Sequence, residues 1–349
     1  MTSKVMRLVV CLILLSGVLS VTGVAGNKNR IGTAGAQELL IPVGATGVAI
    51  GSASAVFLKG VDAIYWNPAG LGRMTNGVEA MFSQMSYIAD VNVSYGAIGV
   101  KAGELGTLGF SVKSLSFGAI PVTTVDYPDG TGERYSPTYL TLGLTYSKLL
   151  TDRISVGFTG YVVSEKILNM AASGLSFDIG IQYHNLGVQG LMLAVAVKSI
   201  GPNMQFDGSN AYVTANAVEG NRGQQVYKDQ LAAFEMPTMM EIGVAYSPRL
   251  DEKSEVTIAS QFRNNNYTDD EYTFGAEYSF MKTFFLRGGY TFAPQTDKDL
   301  TGANGYIYDW TGGAGVHYDV GGVGFRVDYA YRNVKYFGGN HIFTIGLEL

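Results

Sequence analysis

The residues able to do chemistry here are few and scattered. His184, His317 and His341 stand far apart in a chain of 349 residues, without the short spacings by which histidines, thiolates and carboxylates gather around a metal. Each reads as a solvated or hydrogen-bonded imidazole. Cys11 is the sole cysteine and falls inside an N-terminal apolar run, so disulfide and thiol chemistry are excluded once that run is removed. Serines such as Ser111 and Ser176 have no histidine at a spacing that marks a base for them. Gly312-Gly313-Ala314-Gly315 and Gly321-Gly322-Val323-Gly324 imitate phosphate loops, but no helix follows either and no Lys-Ser/Thr completes the motif. The sequence therefore predicts no catalytic residue, no metal and no cofactor.

What remains is a set of charges in the middle of apolar segments: Asp178, Glu241, Glu277, Arg287, Arg326 and Asp328, with Arg332, Glu255 and Asp309 beside them. A charge buried in a soluble core is costly unless paired. These residues are expected to face a polar interior, where they pair across strands or with an internal segment, or select a solute.

The elements that must position them run from Val78 to Leu349 as about fourteen alternating strands. Leu140, Leu142, Leu144 and Tyr146 share one face, against Thr141, Gly143 and Thr145. Leu175, Phe177, Ile179, Ile181 and Tyr183 oppose Ser176, Asp178, Gly180 and Gln182, and the same division recurs around 240–246, 272–280 and 323–331. Successive strand residues point to opposite faces, so each list is one face of a sheet. Connections near 102–104, 148–152, 185–190, 248–253, 281–283 and 319–321 are short; those near 119–136, 168–173, 201–237, 264–270, 295–307 and 333–339 are mostly longer. An all-β transmembrane antiparallel barrel has this signature: one parity to lipid, short turns at one rim, long loops at the other. Tyr146, Tyr183, Tyr246, Tyr278 and Tyr318 then form an aromatic girdle near the short-turn rim. The last strand sets Phe343, Ile345, Leu347 and Leu349 against Thr344, Gly346 and Glu348. Between 78 and 101 both parities mix, and the facing there is open.

The N-terminus divides further. Lys4 and Arg7 before Leu8–Leu15, with small residues at Val24-Ala25-Gly26, predict a cleaved signal peptide over 1–26. Its loss takes two positive charges from a chain already at −5, and with no basic cluster a nucleic-acid partner is excluded. Residues 27–77 are rich in Gly and Ala and carry too little apolar surface to fold alone; they are expected to plug the lumen of the barrel formed by 78–349. Within them Ala34–Leu40 predicts a short helix stopped by Pro42, and Asn67 before Pro68 predicts a helix entry. The segment 201–237 is too long for a passive turn. Its Phe206, Tyr212, Tyr227 and Phe234 are candidates for a partner-binding outer loop.

The stretch Leu40-Ile41-Pro42-Val43-Gly44-Ala45-Thr46-Gly47, then Ser54-Ala55-Val56-Phe57 and Tyr65-Trp66-Asn67-Pro68-Ala69-Gly70-Leu71, resembles the PorV/PorQ family, a branch of the FadL-like barrels. The resemblance is sharp over 33–75 and architectural beyond. It implies an outer-membrane protein in which Trp66, Asn67, Pro68, Ala69 and Gly70 belong to a hatch closing the lumen from the periplasmic side. Two functions follow from it. One is a type IX secretion shuttle holding secreted cargo by its C-terminal domain, with other secretion components as partners. The alternative is FadL-like passive transport of a hydrophobic ligand, which calls for a greasy lumen patch and a kinked strand. Met192, Met239 and Phe57 are candidates for such a patch.

Overall fold

The computed structural model describes residues 30–216, 224–300, 302 and 304–349. The expected signal peptide lies outside the described residues, as does Asn221 of the long loop.

Fourteen antiparallel strands close into one barrel. They are β1 (Val78–Ser86), β2 (Asn92–Lys101), β3 (Thr107–Ser116), β4 (Thr138–Leu149), β5 (Ile154–Ile167), β6 (Met170–His184) and β7 (Leu191–Ile200). The circuit continues through β8 (Met239–Tyr246), β9 (Ser254–Asn265), β10 (Glu271–Phe280), β11 (Phe284–Phe292), β12 (Tyr308–Val320), β13 (Val323–Val334) and β14 (Asn340–Glu348). Each pairs with its sequence neighbour, and β14 returns to β1 in the register Phe82↔Ile345. Closure leaves no free edge, the condition under which strands can cross a bilayer. No helix among the described residues is long and apolar enough to do so.

The alternation read from the sequence sorts the wall as expected. Outward apolar side chains run from Phe158, 43% exposed, through Ile258, Phe325 and Phe343 to Leu144 and Leu286 at 64%. Their inward neighbours Thr145, Thr159 and Gln182 are fully buried. A continuous apolar exterior of this extent is a lipid-facing surface. Tyr146, Tyr278 and Tyr318 stand exposed toward the short-turn rim, with Tyr183 and Tyr246 half-buried beside them.

Two expectations are corrected, and a facing left open is resolved. The connection placed at 168–173 is a two-residue turn, Leu168–Asn169, because β5 and β6 pair up to Ile167↔Met170. The rim asymmetry therefore rests on three loops, 117–137, 201–238 and 293–307. The helix expected over Ala34–Leu40 shrinks to a 3₁₀ turn, Gln37–Leu40, entered from Ala36 in the left-handed region (φ 50°). Strands β1 and β2 turn apolar residues inward: Met81, Met85, Val93 and Tyr95 are buried, while Gln84 and Ser94 face out and hydrogen-bond each other at 2.7 Å. The mixed parities there arise because this stretch of wall supplies core to the lumenal segment, packing with Val43, Val61, Ile64 and Leu71.

Strands β6 and β7 carry a kink. The pairing jumps from Phe177↔Ile200 to Ile179↔Val197, a β-bulge. Ser199 takes the left-handed conformation (φ 57°) and donates its backbone N–H to Asp178 Oδ1 at 2.7 Å.

Candidate functional site

Residues 30–77 pass through the lumen with scarcely any regular structure: two helices of four and five residues and short 3₁₀ turns. Irregular backbone at membrane depth survives only where protein satisfies its polar groups. Here the wall does so with inward side chains. Thr311 Oγ1 donates to Ala49 O and Thr291 Oγ1 to Gly51 O, each at 2.9 Å. Gln182 Nε2 donates to Ala55 O and Leu58 O at 2.9 and 3.1 Å. Thr344 Oγ1 accepts from Ala45 N, and Lys113 Nζ donates to the carbonyls of Glu38 and Ile41. The polar inward parity is thus a set of partners for the lumenal backbone more than a wetted pore lining.

Glycines let the two surfaces meet. A Cβ on Gly157 would lie 2.2 Å from the Pro68 carbonyl carbon, and one on Gly180 1.9 Å from Asn67 Oδ1. On the opposite wall a Cβ on Gly275 would lie 2.4 Å from Ile50 O, one on Gly289 2.3 Å from Gly51 N, and one on Gly313 2.6 Å from the Ala49 Cβ. The sequence suggested small lumen residues. It could not reveal that each faces a particular backbone atom, since the contacts link positions some 90–260 apart.

The motif singled out by resemblance occupies the tightest part of this seat. Trp66 is 1% exposed, meets Tyr65 edge-on at 5.1 Å, and its Nε1 donates to Val43 O at 3.2 Å. Asn67 Oδ1 accepts from Ala69 N at 3.1 Å, opening the 3₁₀ turn Pro68–Arg73 as expected of a cap, while its Nδ2 donates to Ile181 O at 3.3 Å. Ala69 O accepts from Ser147 Oγ at 3.1 Å. Gly70 admits no side chain, because a Cβ would lie 2.3 Å from Leu58 O.

The mid-strand charges form networks. Arg287 bridges Glu277 and Asp328, each at 2.6 Å, and His317 Nε2 lies 3.3 Å from Asp328. Arg263 joins Glu241 and Glu271 at 2.8 Å. Arg326 pairs with Asp62 of the lumenal segment. Asp178 serves the bulge. Asp178, Glu241, Asp328 and Arg326 are all buried; ion pairs offset the burial of the last three, and the Ser199 N–H that of Asp178. Only breaking such a pair is expensive.

Beside a small pocket between Tyr65, Lys113, Tyr161 and Lys198, two larger cavities lie mainly toward β8–β14 among the described residues. Near the short-turn rim lies one of about 1080 Å³, reached by His184, His317, Arg287, Glu277, Phe57 and Met192. Near the long-loop rim lies one of about 450 Å³, lined by Ile41, Pro42, Tyr87, Tyr306, Tyr308, Arg263 and Arg332. No residue lines both. Between them stand the helix Ala45–Ala49, the following Ile50 and Gly51, and the glycines those residues press against. The larger cavity, half polar and half apolar in its lining, is not the greasy patch sought. Phe57 and Met192 touch it, while Met239 is buried in the β8 wall.

The outer-loop aromatics divide. Phe206 and Phe234, tilted against each other with ring centres 5.7 Å apart, pack over Tyr161, Val163, Met204 and Met236, capping the lumen. Tyr212 and Tyr227 are exposed on a hairpin of Tyr212–Asn216 and Gln224–Lys228. The four do not form one surface. Sequence also missed a strap at this rim: Arg30 donates to Glu235 at 2.5 Å and to the Tyr267 hydroxyl at 2.6 Å, and Tyr267 in turn donates to Glu235. His341 points outward, its Nδ1 2.8 Å from the Tyr329 hydroxyl.

Fold and lumen together define a fourteen-stranded transmembrane β-barrel filled by its own N-terminal segment. Among solved structures the chain is similar to the CymD monoaromatic hydrocarbon channel (TM-score 0.55, 13% identity, 88% of this chain and 97% of that one). It is similar also to the Ralstonia pickettii toluene transporter TbuX (0.55, 12%, 88% and 98%) and the Pseudomonas putida toluene transporter TodX (0.53, 13%, 87% and 96%). At these identities the likeness is one of fold. No family model matches, and no curated protein matches by sequence.

Proposed function

We propose that the protein is a passive channel of the outer membrane for small hydrophobic compounds, with residues 30–77 as its gate and the long-loop rim outside. The observation that carries this reading is the pair of cavities on one side of the lumen, parted by a strip of Ala and Gly that side-chain-to-backbone hydrogen bonds hold in place. The toluene transporters of the same fold support it. The PorV-like shuttle reading, with secreted cargo and secretion components as partners, has less behind it. Of its four aromatics two turn inward, and the exposed hairpin with Tyr212 and Tyr227 is the feature that favours it. Proteoliposomes separate the two: entry of toluene faster than through protein-free vesicles, with glucose excluded, is the expected result. Toluene entry no faster than through lipid alone would refute the channel.

A further inference from the structure

Among the described residues the inward arginines of the wall from β9 to β13 fall into two kinds. Arg263, Arg287 and Arg326 each hold a carboxylate in an ion pair. Arg332 holds none, although it is 7% exposed. Its Nε donates to Asn340 Oδ1 at 3.1 Å, and its Nη2 is buried without a partner. The guanidinium carbon lies 3.9 Å from the Tyr308 ring centre and 5.9 Å from that of Tyr87, and the two tyrosine hydroxyls meet at 2.9 Å. Aromatic faces attract a cation without neutralising it. A buried guanidinium with an unpartnered Nη2 is a binding group for a planar anion.

We propose that Arg332 is the anion-binding residue of the long-loop cavity and that the solute it takes is a small aromatic monocarboxylate. This rests on the channel reading and narrows its substrate class. Tyr306 and Tyr308 meet edge-on at 5.8 Å and, with Ile41 and Pro42 of the lumenal segment, line the cavity for a ring. Its volume of about 450 Å³ falls within the roughly 300–1,000 Å³ usual for small-ligand sites. The same cavity carries three acids. Glu271 is held by Arg263, and Asp309 accepts from Asn333 Nδ2 and Trp310 N. Asp269 has no such partner among the described residues and repels a second negative charge, which favours a monoanion. Asn340 is the positioning residue, since its Nδ2 is itself anchored on Ser86 O at 3.3 Å.

The test is calorimetric titration of the purified full-length protein with benzoate and with benzyl alcohol, its uncharged near-isostere, alongside toluene entry into proteoliposomes. Benzoate should bind at least tenfold more tightly than benzyl alcohol. Arg332→Gln should abolish that preference while keeping heat-modifiable migration. If Arg332→Gln fails to fold, Asn340→Ala should weaken benzoate several-fold and leave benzyl alcohol unchanged. Equal binding of the two probes, or benzoate affinity untouched by Arg332→Gln, overturns the site while toluene entry leaves the channel standing. Arg332-dependent benzoate binding without toluene entry upholds the site and overturns the hydrocarbon channel.

Discussion

The two sides of the lumen use the same materials to opposite ends. On the β2–β6 side, Trp66 to Leu71 lie flush on the wall, Gly157 and Gly180 admit backbone, and Ser147 bonds Ala69. On the β9–β13 side the contact narrows to Ala45–Gly51, with a cavity above it and a larger one below. Lumen glycines and polar side chains face the segment on both sides, Ser147 and Gln182 on one and Thr291 and Thr311 on the other. The difference is thickness: on one side the segment lies flush on the wall, while on the other only Ala45, Val48 and Ala49, part of the same apolar cluster, reach across to Ala330. A segment anchored on one side and thin on the other can yield locally without leaving the barrel.

Breaking the buried contacts that tie the segment to the wall should have the largest effect. Asp62→Ala takes from buried Arg326 its nearest carboxylate, leaving Glu348 at 4.0 Å, and should cost about 3 kcal/mol, seen as loss of the heat-resistant folded band. Trp66→Ala should cost a similar ~3–5 kcal/mol through the cavity it leaves. Gly289→Val, on the thin side, should sharpen the comparison from the other direction. Its side chain displaces Gly51, so the barrel stays folded while small-solute entry rises several-fold in vesicles; an unfolded barrel would show that the thin side is also an anchor. Asn67→Ala should cost about 1 kcal/mol, a modest fall in unfolding midpoint without change in permeability. Deleting 209–229 should do least: Met204, Phe206 and Phe234 remain as the cap, so folding and solute entry are unchanged, and loss of a captured protein partner would revive the shuttle reading.

The wall was legible in the sequence because a strand's facing is local: Leu140 to Tyr146 and Leu175 to Tyr183 declare their parity within a few residues. Strands β1 and β2 were not, since Met85 and Val93 serve a core whose other half lies in the lumenal segment. Trp66–Gly70 was singled out by resemblance, and the cap at its entry was legible in Asn67-Pro68. The glycine seats, the Arg30 strap and the isolation of Arg332 depend on which distant strands close beside one another. Spacing along the chain carries no trace of that. Turn length was misjudged at 168–173 because Ala171 and Ala172 read as loop yet pair with Lys166 and Glu165.

The central claim is that Ala45–Gly51 must move for a solute to pass. The chain's one cysteine, Cys11, lies in the expected signal peptide, so a cysteine pair can be added cleanly at the partition (Ala49→Cys with Thr311→Cys), where Thr311 Oγ1 already meets Ala49 O at 2.9 Å. Toluene entry is then measured in proteoliposomes before oxidation, after it, and after reduction, with the crosslink verified by mass. The account predicts that oxidation stops entry and reduction restores it. Entry at the same rate through the crosslinked barrel would contradict it.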